Sequence, residues 1–451
     1  MLLNNIKKCI NNSKIRYRYF CTTSTSSQKN NGNDYKSTAN QRDRESLVKL
    51  FHDNKINFPS MNIVPKKPKV TIGLSGGVDS TVAAYLLKKQ GFDVNGVFIK
   101  SWDEIEETGR CTGEKDFKDA QEAAKFLNIN VELADFTKEY WNRVFQHFLK
   151  DYENGLIPNP DTLCNREIKF DTFIDFAKER FDSDYIVTGH YANLDYLNNN
   201  SSNSNNSNVH LYRGKDYSKD QSYFLCMSKT EKLAKSLFPI GQFMKNDVKD
   251  FAQYLGLDSI VSKKSSRGIC FIGKKSLPEF LSQYIKVEPG RFYDLSNTYE
   301  IRQEHKGALC YTRGQKAQIH SLSERYFVAG TDIERNLVFV CPESVSDKFL
   351  LSTSVTMHSL NWIGVDPDQL FSNGKSIRIR SQIKHRGDLV DSTLCRQNNN
   401  EYTVTFDTPI RACQSGQVLC MFEINSDRCL GGGVMKLPPF KVGKQTFGLY
   451  K

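Results

Sequence analysis

The chain has 451 residues, 39% hydrophobic and 12% aromatic, which is enough for two or three domains with cores of their own. No apolar run approaches the length of a bilayer span, so no membrane partner is expected. The formal charge of +11 is concentrated at the start: residues 1–50 hold ten Lys/Arg against three Asp/Glu, leaving only +4 for residues 51–451, so overall pI is no argument for nucleic-acid binding.

The basic excess has a pattern. No acid precedes Asp34, and Lys7, Lys8, Lys14, Arg16, Arg18 and Lys29 are interleaved with Ile6, Ile10, Ile15, Tyr17, Tyr19 and Phe20, ahead of a Ser/Thr-rich stretch from Thr22 to Ser27. Such a leader is expected to be a mitochondrial transit peptide, so residues 1–45 are set aside from the fold and a matrix location is expected. The twelve cysteines include no Cys-x-x-Cys spacing. No metal site is therefore expected, and most of these thiols belong to cores, with one or two reactive.

The first strong element is an apolar strand through Val70, Ile72 and Leu74, followed by a helix over Val82–Leu87 that Gly91 can end. Between them lies Gly73-Leu74-Ser75-Gly76-Gly77-Val78-Asp79-Ser80. Gly76 and Gly77 let the backbone approach an oxyanion, and the helix N-terminus favours negative charge there. Ser75 and Ser80 add hydroxyl donors, while Asp79 suits helix capping or a hydrated magnesium ion. No Gly-Lys-Ser/Thr follows, so this is not a Walker loop.

Strands are then expected over Val94–Ile99, Val131–Ala134 and Asp184–His190, alternating with helices over Asp116–Leu127, Thr137–Tyr152 and Ile168–Phe181, after a turn at Pro158–Asp161. That alternation predicts a doubly wound α/β parallel sheet with ligands at the carboxyl ends of its strands, where Ser75, Lys100 and Gly189 fall. Residues 198–208 are all Asn and Ser and read as a solvent loop at the tip of a hairpin between Leu194–Leu197 and Val209–Tyr212. Helices over Lys229–Leu237 and Asp247–Leu255 complete a domain expected to span 66–275. A small mixed domain follows over 276–345, then short alternating runs predict a β-barrel over 350–437.

Several motifs now stand in one order: the glycine loop, Pro158-Asn159-Pro160-Asp161-Thr162-Leu163-Cys164-Asn165, Thr188-Gly189-His190-Tyr191, Lys219-Asp220-Gln221-Ser222-Tyr223-Phe224, Gly268-Ile269-Cys270-Phe271-Ile272-Gly273 and Leu430-Gly431-Gly432-Gly433. From about Val70 to Gly433 the chain resembles the tRNA-specific 2-thiouridylase family, mitochondrial type, within the pyrophosphate-loop ATP enzymes. The resemblance implies ATP, with Mg2+, bound by Gly73, Leu74, Ser75, Gly76, Gly77, Val78, Asp79, Ser80, Ile99 and Gly189. It implies transfer of AMP to the wobble-uridine 2-oxygen, then replacement of that oxygen by sulfur from a persulfide on Cys270, with Cys164 as the second thiol of a disulfide-forming pair and Asp161 as acid/base. Asn159, Pro160 and Asp161 would touch the flipped base, and Lys219, Asp220 and Gln221 the tRNA. The persulfide would come from an upstream donor, a cysteine desulfurase or sulfur carrier.

Both cysteines lie in polar loops. Cys164 is read as just preceding a helix that begins near Arg166, whose dipole would favour thiolate, and Arg267 does the same for Cys270. The sequence departs from the family at Ser265-Ser266-Arg267, at Ala317-Gln318-Ile319-His320 and at Gly387. The expected RNA patch lies in the barrel. Ile377, Ile379 and Ile383 share one parity, and Arg378, Arg380, Gln382, Lys384 and Arg386 the other, with no acid between Asp368 and Asp388. Arg378, Arg380 and Arg386 are therefore expected to face tRNA. Two other readings fit parts of the pattern: a pyrophosphate-loop ligase acting on a small molecule, and a tRNA-binding protein that has lost its chemistry.

Overall fold

The computed structural model describes residues 44–56, 58, 68–102, 112–197, 209–263, 271–272, 275–320, 322–397, 401–438, 440–442 and 445–447. The leader, the Asn/Ser stretch 198–208 and Cys270 lie outside the described residues. The first sheet holds β1 (Lys69–Gly73), β2 (Asp93–Lys100), β3 (Val131–Asp135), β4 (Tyr185–Val187) and, after a hairpin of β5 (Ala192–Tyr196) and β6 (Val209–Arg213), β7 (Ser236–Leu237). Its order is β3-β2-β1-β4-β7, and every neighbouring pair is parallel.

Side-chain alternation covers both faces. Tyr185 and Val187 of β4 pack with the helices Arg44–Asp53, Val78–Lys89, Thr112–Leu127 and Lys245–Tyr254. Ile186 points the other way, into Phe145, Phe148, Ile168 and Phe173. This is the doubly wound arrangement expected of near-continuous apolar strands. The helix Arg44–Asp53 precedes the expected start of the fold at residue 66, and its Phe51 ring is stacked 4.0 Å from Phe243 and 4.1 Å from Phe251. The stretch read as a helix over Lys229–Leu237 is shorter, Thr230–Leu233, because Ser236 and Leu237 pair with Ile186 and Val187 at the sheet edge.

The central unit is a second sheet of β8 (Gly290–Asp294), β9 (Tyr299–His305), β10 (Lys316–Ala317), β11 (Tyr326–Asp332) and β12 (Leu337–Pro342), ordered β10-β11-β12-β8-β9. The third is antiparallel: β13 (Leu351–Trp362), β14 (Ser376–Gln382), β15 (Val390–Arg396), β16 (Tyr402–Arg411), β17 (Val418–Glu423) and β18 (Arg428–Lys436) run in the order β13-β16-β15-β14-β17-β18, and β18 pairs back onto β13 to close a barrel. Arg313 ties the central unit to the barrel, donating to the carbonyls of Ala329, Phe349 and Cys413 and to Ser352 Oγ.

The expected hairpin around the Asn/Ser stretch is present, with Ala192 opposite Arg213 and Tyr196 opposite Val209. Its second strand pairs with β18, so the hairpin extends the barrel sheet rather than the parallel one. Nothing local in the sequence distinguishes these two edges. In β18, Gly431 has φ +127°, and a Cβ there would lie 1.9 Å from the Asn361 carbonyl oxygen of β13. Barrel closure therefore requires glycine at this position.

Two stability outcomes follow from this layout. Gly431→Ala should lower unfolding stability by more than about 2 kcal/mol in urea titrations, because strain and overlap act at one closed seam. Deleting Asn199 to Ser207 should change it by less than about 1 kcal/mol, since shortening a hairpin loop alters closure entropy only slightly.

Candidate active site

The strand order reverses direction at β1, with β2 on one side and β4 on the other, so the crevice above their carboxyl ends is the natural ligand position. The glycine loop leaves β1 there. Gly76 has φ +71°, and a Cβ on it would come within 2.7 Å of the Asp119 and Ala120 backbone. Ser75 Oγ and Ser80 Oγ lie 3.2 Å apart, and the Gly77 carbonyl accepts from Ser80 Oγ and Thr81 Oγ1, which fixes the start of the helix Val78–Lys89. Gly189 follows β4, and a Cβ there would sit 2.9 Å from Ser80 N. Ile99, at the end of β2, is half-buried beside Gly73. The residues expected to line a nucleotide site thus converge, and the cradle fits a phosphate group.

Asp79 does not cap the helix; Gly77 occupies the N-cap and no side chain caps it. The Asp79 carboxylate instead accepts from Tyr191 Oη at 2.7 Å and from Lys245 Nζ at 2.6 and 2.7 Å. Burial, then the Asp79 charge, pushes the Tyr191 phenol far above its ordinary range, so it remains a donor. Among the described residues, no group of three or more His, Cys, Asp or Glu side chains is placed to hold a metal ion.

The second motif differs from its expected form. The helix starts at Pro160, not near Arg166: Asn159 is its N-cap, accepting from Thr162 N at 3.1 Å, and Pro160 takes the first turn, where no N–H is needed. Cys164 ends this segment and runs directly into the wide π-turn Asn165–Thr172, so it is inside a helical run rather than ahead of one. The helix-start position belongs to Asp161. The barrel turn holds the approach to this helix, with Ile157 N donating to the Ser415 carbonyl at 2.9 Å and Gln417 Nε2 to that of Pro158 at 3.4 Å.

Burial pushes the Asp161 carboxyl up, with the Lys169 charge opposing. Lys169 also acts on His190, which is buried, sits against Phe170 and shares a 2.6 Å hydrogen bond between Nδ1 and Thr188 Oγ1. Burial first, then Lys169, keeps that imidazole neutral. Asp161 and His190 thus both feel the Lys169 charge. Phe271, the residue after Cys270, is buried against Trp102, Phe145 and Phe148, in the core against which Cys164 also packs. Among the described cysteines, Cys226, Cys310, Cys341, Cys395, Cys413, Cys420 and Cys429 are thiols, and Cys270, the expected partner of Cys164, falls outside the described residues.

The residues expected to face RNA divide. Asp220 is buried: its carboxylate accepts from Gly214 N, Ser222 N, Ser222 Oγ and Arg213 Nε. Gln221 uses Oε1 to accept from Tyr191 N at 2.9 Å. Lys219 lines an open cleft of about 350 Å³ with Arg213, Gln382, Arg386 and Gly387. In the barrel, the alternation holds only as far as Gln382, where β14 ends; Gln382 is itself buried, and Arg386 lies in the following turn at φ +60°. Arg378 is exposed but paired with Asp407, and Arg380 donates to the Ser426 carbonyl. Tertiary pairing thus supplies the acids that the local sequence lacks.

Comparison with known proteins decides the family. Residues 68–274 match the model of a tRNA methyl transferase HUP domain, 278–342 that of a tRNA methyl transferase PRC-barrel domain, and 352–435 that of an aminomethyltransferase beta-barrel domain. The chain is 51% identical to the mitochondrial tRNA-specific 2-thiouridylase 1 of Dictyostelium discoideum, covering 97% of this chain and 98% of that protein. It belongs to the tRNA-specific 2-thiouridylase family. The Drosophila melanogaster mitochondrial tRNA-specific 2-thiouridylase 1 is 38% identical over 82% of this chain and 95% of its own length, and the Mesoplasma florum tRNA-specific 2-thiouridylase MnmA is 38% identical over 82% and 99%.

Three residues of the site are given no role by sequence alone. Tyr191 lies in a recognised motif, and Lys169 stands five residues beyond Cys164, the spacing a π-turn aligns. Lys245 gives no local signal, being 166 residues from the carboxylate it binds. A raised Asp161 pKa means that the folded state binds the proton more tightly than the unfolded chain does. Its stabilising contribution is complete below the ordinary carboxylate range and is lost as pH rises through the folded value. Wild type minus Asp161→Asn, compared by urea unfolding between pH 4 and 8, should therefore fall with rising pH.

Proposed function

We propose that this protein is an ATP-dependent tRNA-uridine 2-sulfurtransferase of the mitochondrial matrix, forming 2-thiouridine at the wobble position. What supports the reading is that Gly189, packed on the first turn after the glycine loop, is followed by His190, whose ring lies 5.7 Å from that of Phe170 in the helical run that begins at Asn159 with its burial-raised Asp161. The names of the relatives supply the substrate, and the acid-poor leader agrees with the location two of them carry.

The uridine 2-oxygen is a poor leaving group, and transfer of AMP to it makes a phosphate ester that can depart. Gly76, Gly77, Ser75 and Ser80 receive the pyrophosphate half of ATP. Asp79 fits a magnesium ion brought by the nucleotide, which would supply charge neutralisation on the phosphates. Asp161 exchanges a proton with the uracil ring as the 2-oxygen attacks, since burial makes its carboxylate a stronger base than a solvated one. The terminal sulfur of a Cys270 persulfide then attacks C2 and AMP leaves. Cys164 attacks the Cys270 sulfur, so the new C=S bond is released and a Cys164–Cys270 disulfide remains for an external dithiol to reduce. The Lys219–Arg386 cleft is the proposed tRNA surface, with Arg378 contributing less because Asp407 already holds it.

Mass analysis of tRNA incubated with the protein, ATP and a persulfide donor should show an oxygen-to-sulfur mass change, abolished by Cys270→Ser, Cys164→Ser and Asp161→Asn. Thiolation by Cys270→Ser at the wild-type rate would overturn the persulfide assignment. Lys219→Ala with Arg386→Ala should reduce the slope of log affinity against log salt by roughly one unit per lost phosphate contact. Arg378→Ala alone should change that slope less.

A further inference from the structure

Two acid–lysine pairs flank the glycine loop, and both lysines come from one stretch of chain. Lys245 Nζ bridges both carboxylate oxygens of Asp79, and Lys263 Nζ lies 2.9 Å from Asp119 Oδ1, on the residue whose backbone meets Gly76. Asp79 is two residues beyond the N-cap Gly77, so the Lys245 ammonium sits at the first helical turn that follows the loop. The backbone of Lys245 is fixed, its N–H donating to Asp216 Oδ2 at 3.0 Å, while its side chain is a flexible stem. Tyr191 flanks the pair: its hydroxyl donates to Asp79, and its ring centroid lies 5.6 Å from the ammonium. A partly exposed ion pair such as this one is a weak source of stability, because solvent screening and desolvation offset most of the attraction. Placed beside an anion cradle, it has another use.

We propose that Lys245 is a phosphate ligand by partner exchange. Its ammonium holds Asp79 in the arrangement seen here, and it passes to an oxygen of the pyrophosphate half of ATP when Asp79 turns to the accompanying divalent ion. The exchange conserves charge: each carboxylate and each phosphate keeps a cation, and no unpaired charge is buried at any point. Tyr191 stays on Asp79 throughout, a neutral donor that keeps the carboxylate aimed. Because Tyr191 exchanges backbone and side-chain hydrogen bonds with Gln221, and Asp216 holds both Lys245 N and Ser218, the exchange is mechanically joined to the Lys219 segment of the proposed tRNA cleft. This inference rests on the nucleotide reading of the loop proposed above.

The test is equilibrium binding to the full chain, by calorimetry with magnesium present, of three probes: α,β-methylene-ATP, inorganic pyrophosphate and AMP. Lys245→Met should weaken the ATP analogue and pyrophosphate by about ten- to hundredfold, the worth of one charge-assisted hydrogen bond, and leave AMP unchanged. Lys245→Arg should restore most of the loss. Unchanged analogue binding in Lys245→Met, or an equal loss for AMP, would overturn the proposal while leaving the nucleotide site in place. Failure of the wild-type chain to bind the analogue at all would remove the nucleotide reading and this inference with it.

Discussion

The contact between the end of β4 and the first turn of the helix Val78–Lys89 is the constraint on which the site depends. Backbone meets backbone at Gly189 and Asp79–Ser80, with no room for a side chain. That approach delivers His190 and Tyr191, the next two residues, to opposite tasks. Tyr191 reaches Asp79 of the phosphate loop, while His190 turns into the apolar space beside Phe170 and the helix that carries Lys169 and Cys164. One close approach thus connects the glycine loop with the helical run that carries Asp161 and Cys164.

The helix start at Asn159–Asp161 is less self-sufficient. Its lead-in is hydrogen-bonded to the barrel turn at Ser415–Gln417, and Tyr223, from the segment beneath it, donates to the Val418 carbonyl of β17. Asn361 of β13 reaches back to the carbonyls of Cys226 and Ser228. Together with the β5–β6 hairpin on the edge of β18, these bonds make the barrel a wall of the site. Hydrogen bonds buried at such a junction are costly to leave unmade, so the two units should move as one.

Charge at the site follows from burial more than from composition. Asp161 is pushed up because its surroundings exclude water, and His190 is kept neutral for the same reason; Lys169 opposes the first effect and reinforces the second. Asp220 shows the opposite outcome. Three residues around it, Arg213, Gly214 and Ser222, present four donors to one buried carboxylate, so the side chain of a residue expected to meet RNA is held within its own fold. The half-buried cation of that segment, Lys219, lines a cleft together with Arg386 of the barrel.

By itself the sequence determined what depends on near neighbours along the chain. The parallel strands and the helices between them follow from apolar runs and 3.6-residue periodicity, and the phosphate loop from glycines between a strand and a helix. The hairpin about residues 198–208 follows from alternation on either side of a polar tract. These are local because backbone hydrogen bonding and side-chain parity are local. Only the tertiary structure decided which edge the hairpin joined, that Asp79 is held by Lys245 rather than capping its helix, and that Asp407 reaches Arg378. It also moved the helix start from Arg166 back to Pro160, placing Asp161 rather than Cys164 in the first turn. Partners separated by 29 or 166 residues leave no periodic trace, because an ion pair or a buried donor is specified by where two segments meet in space and not by their spacing along the chain.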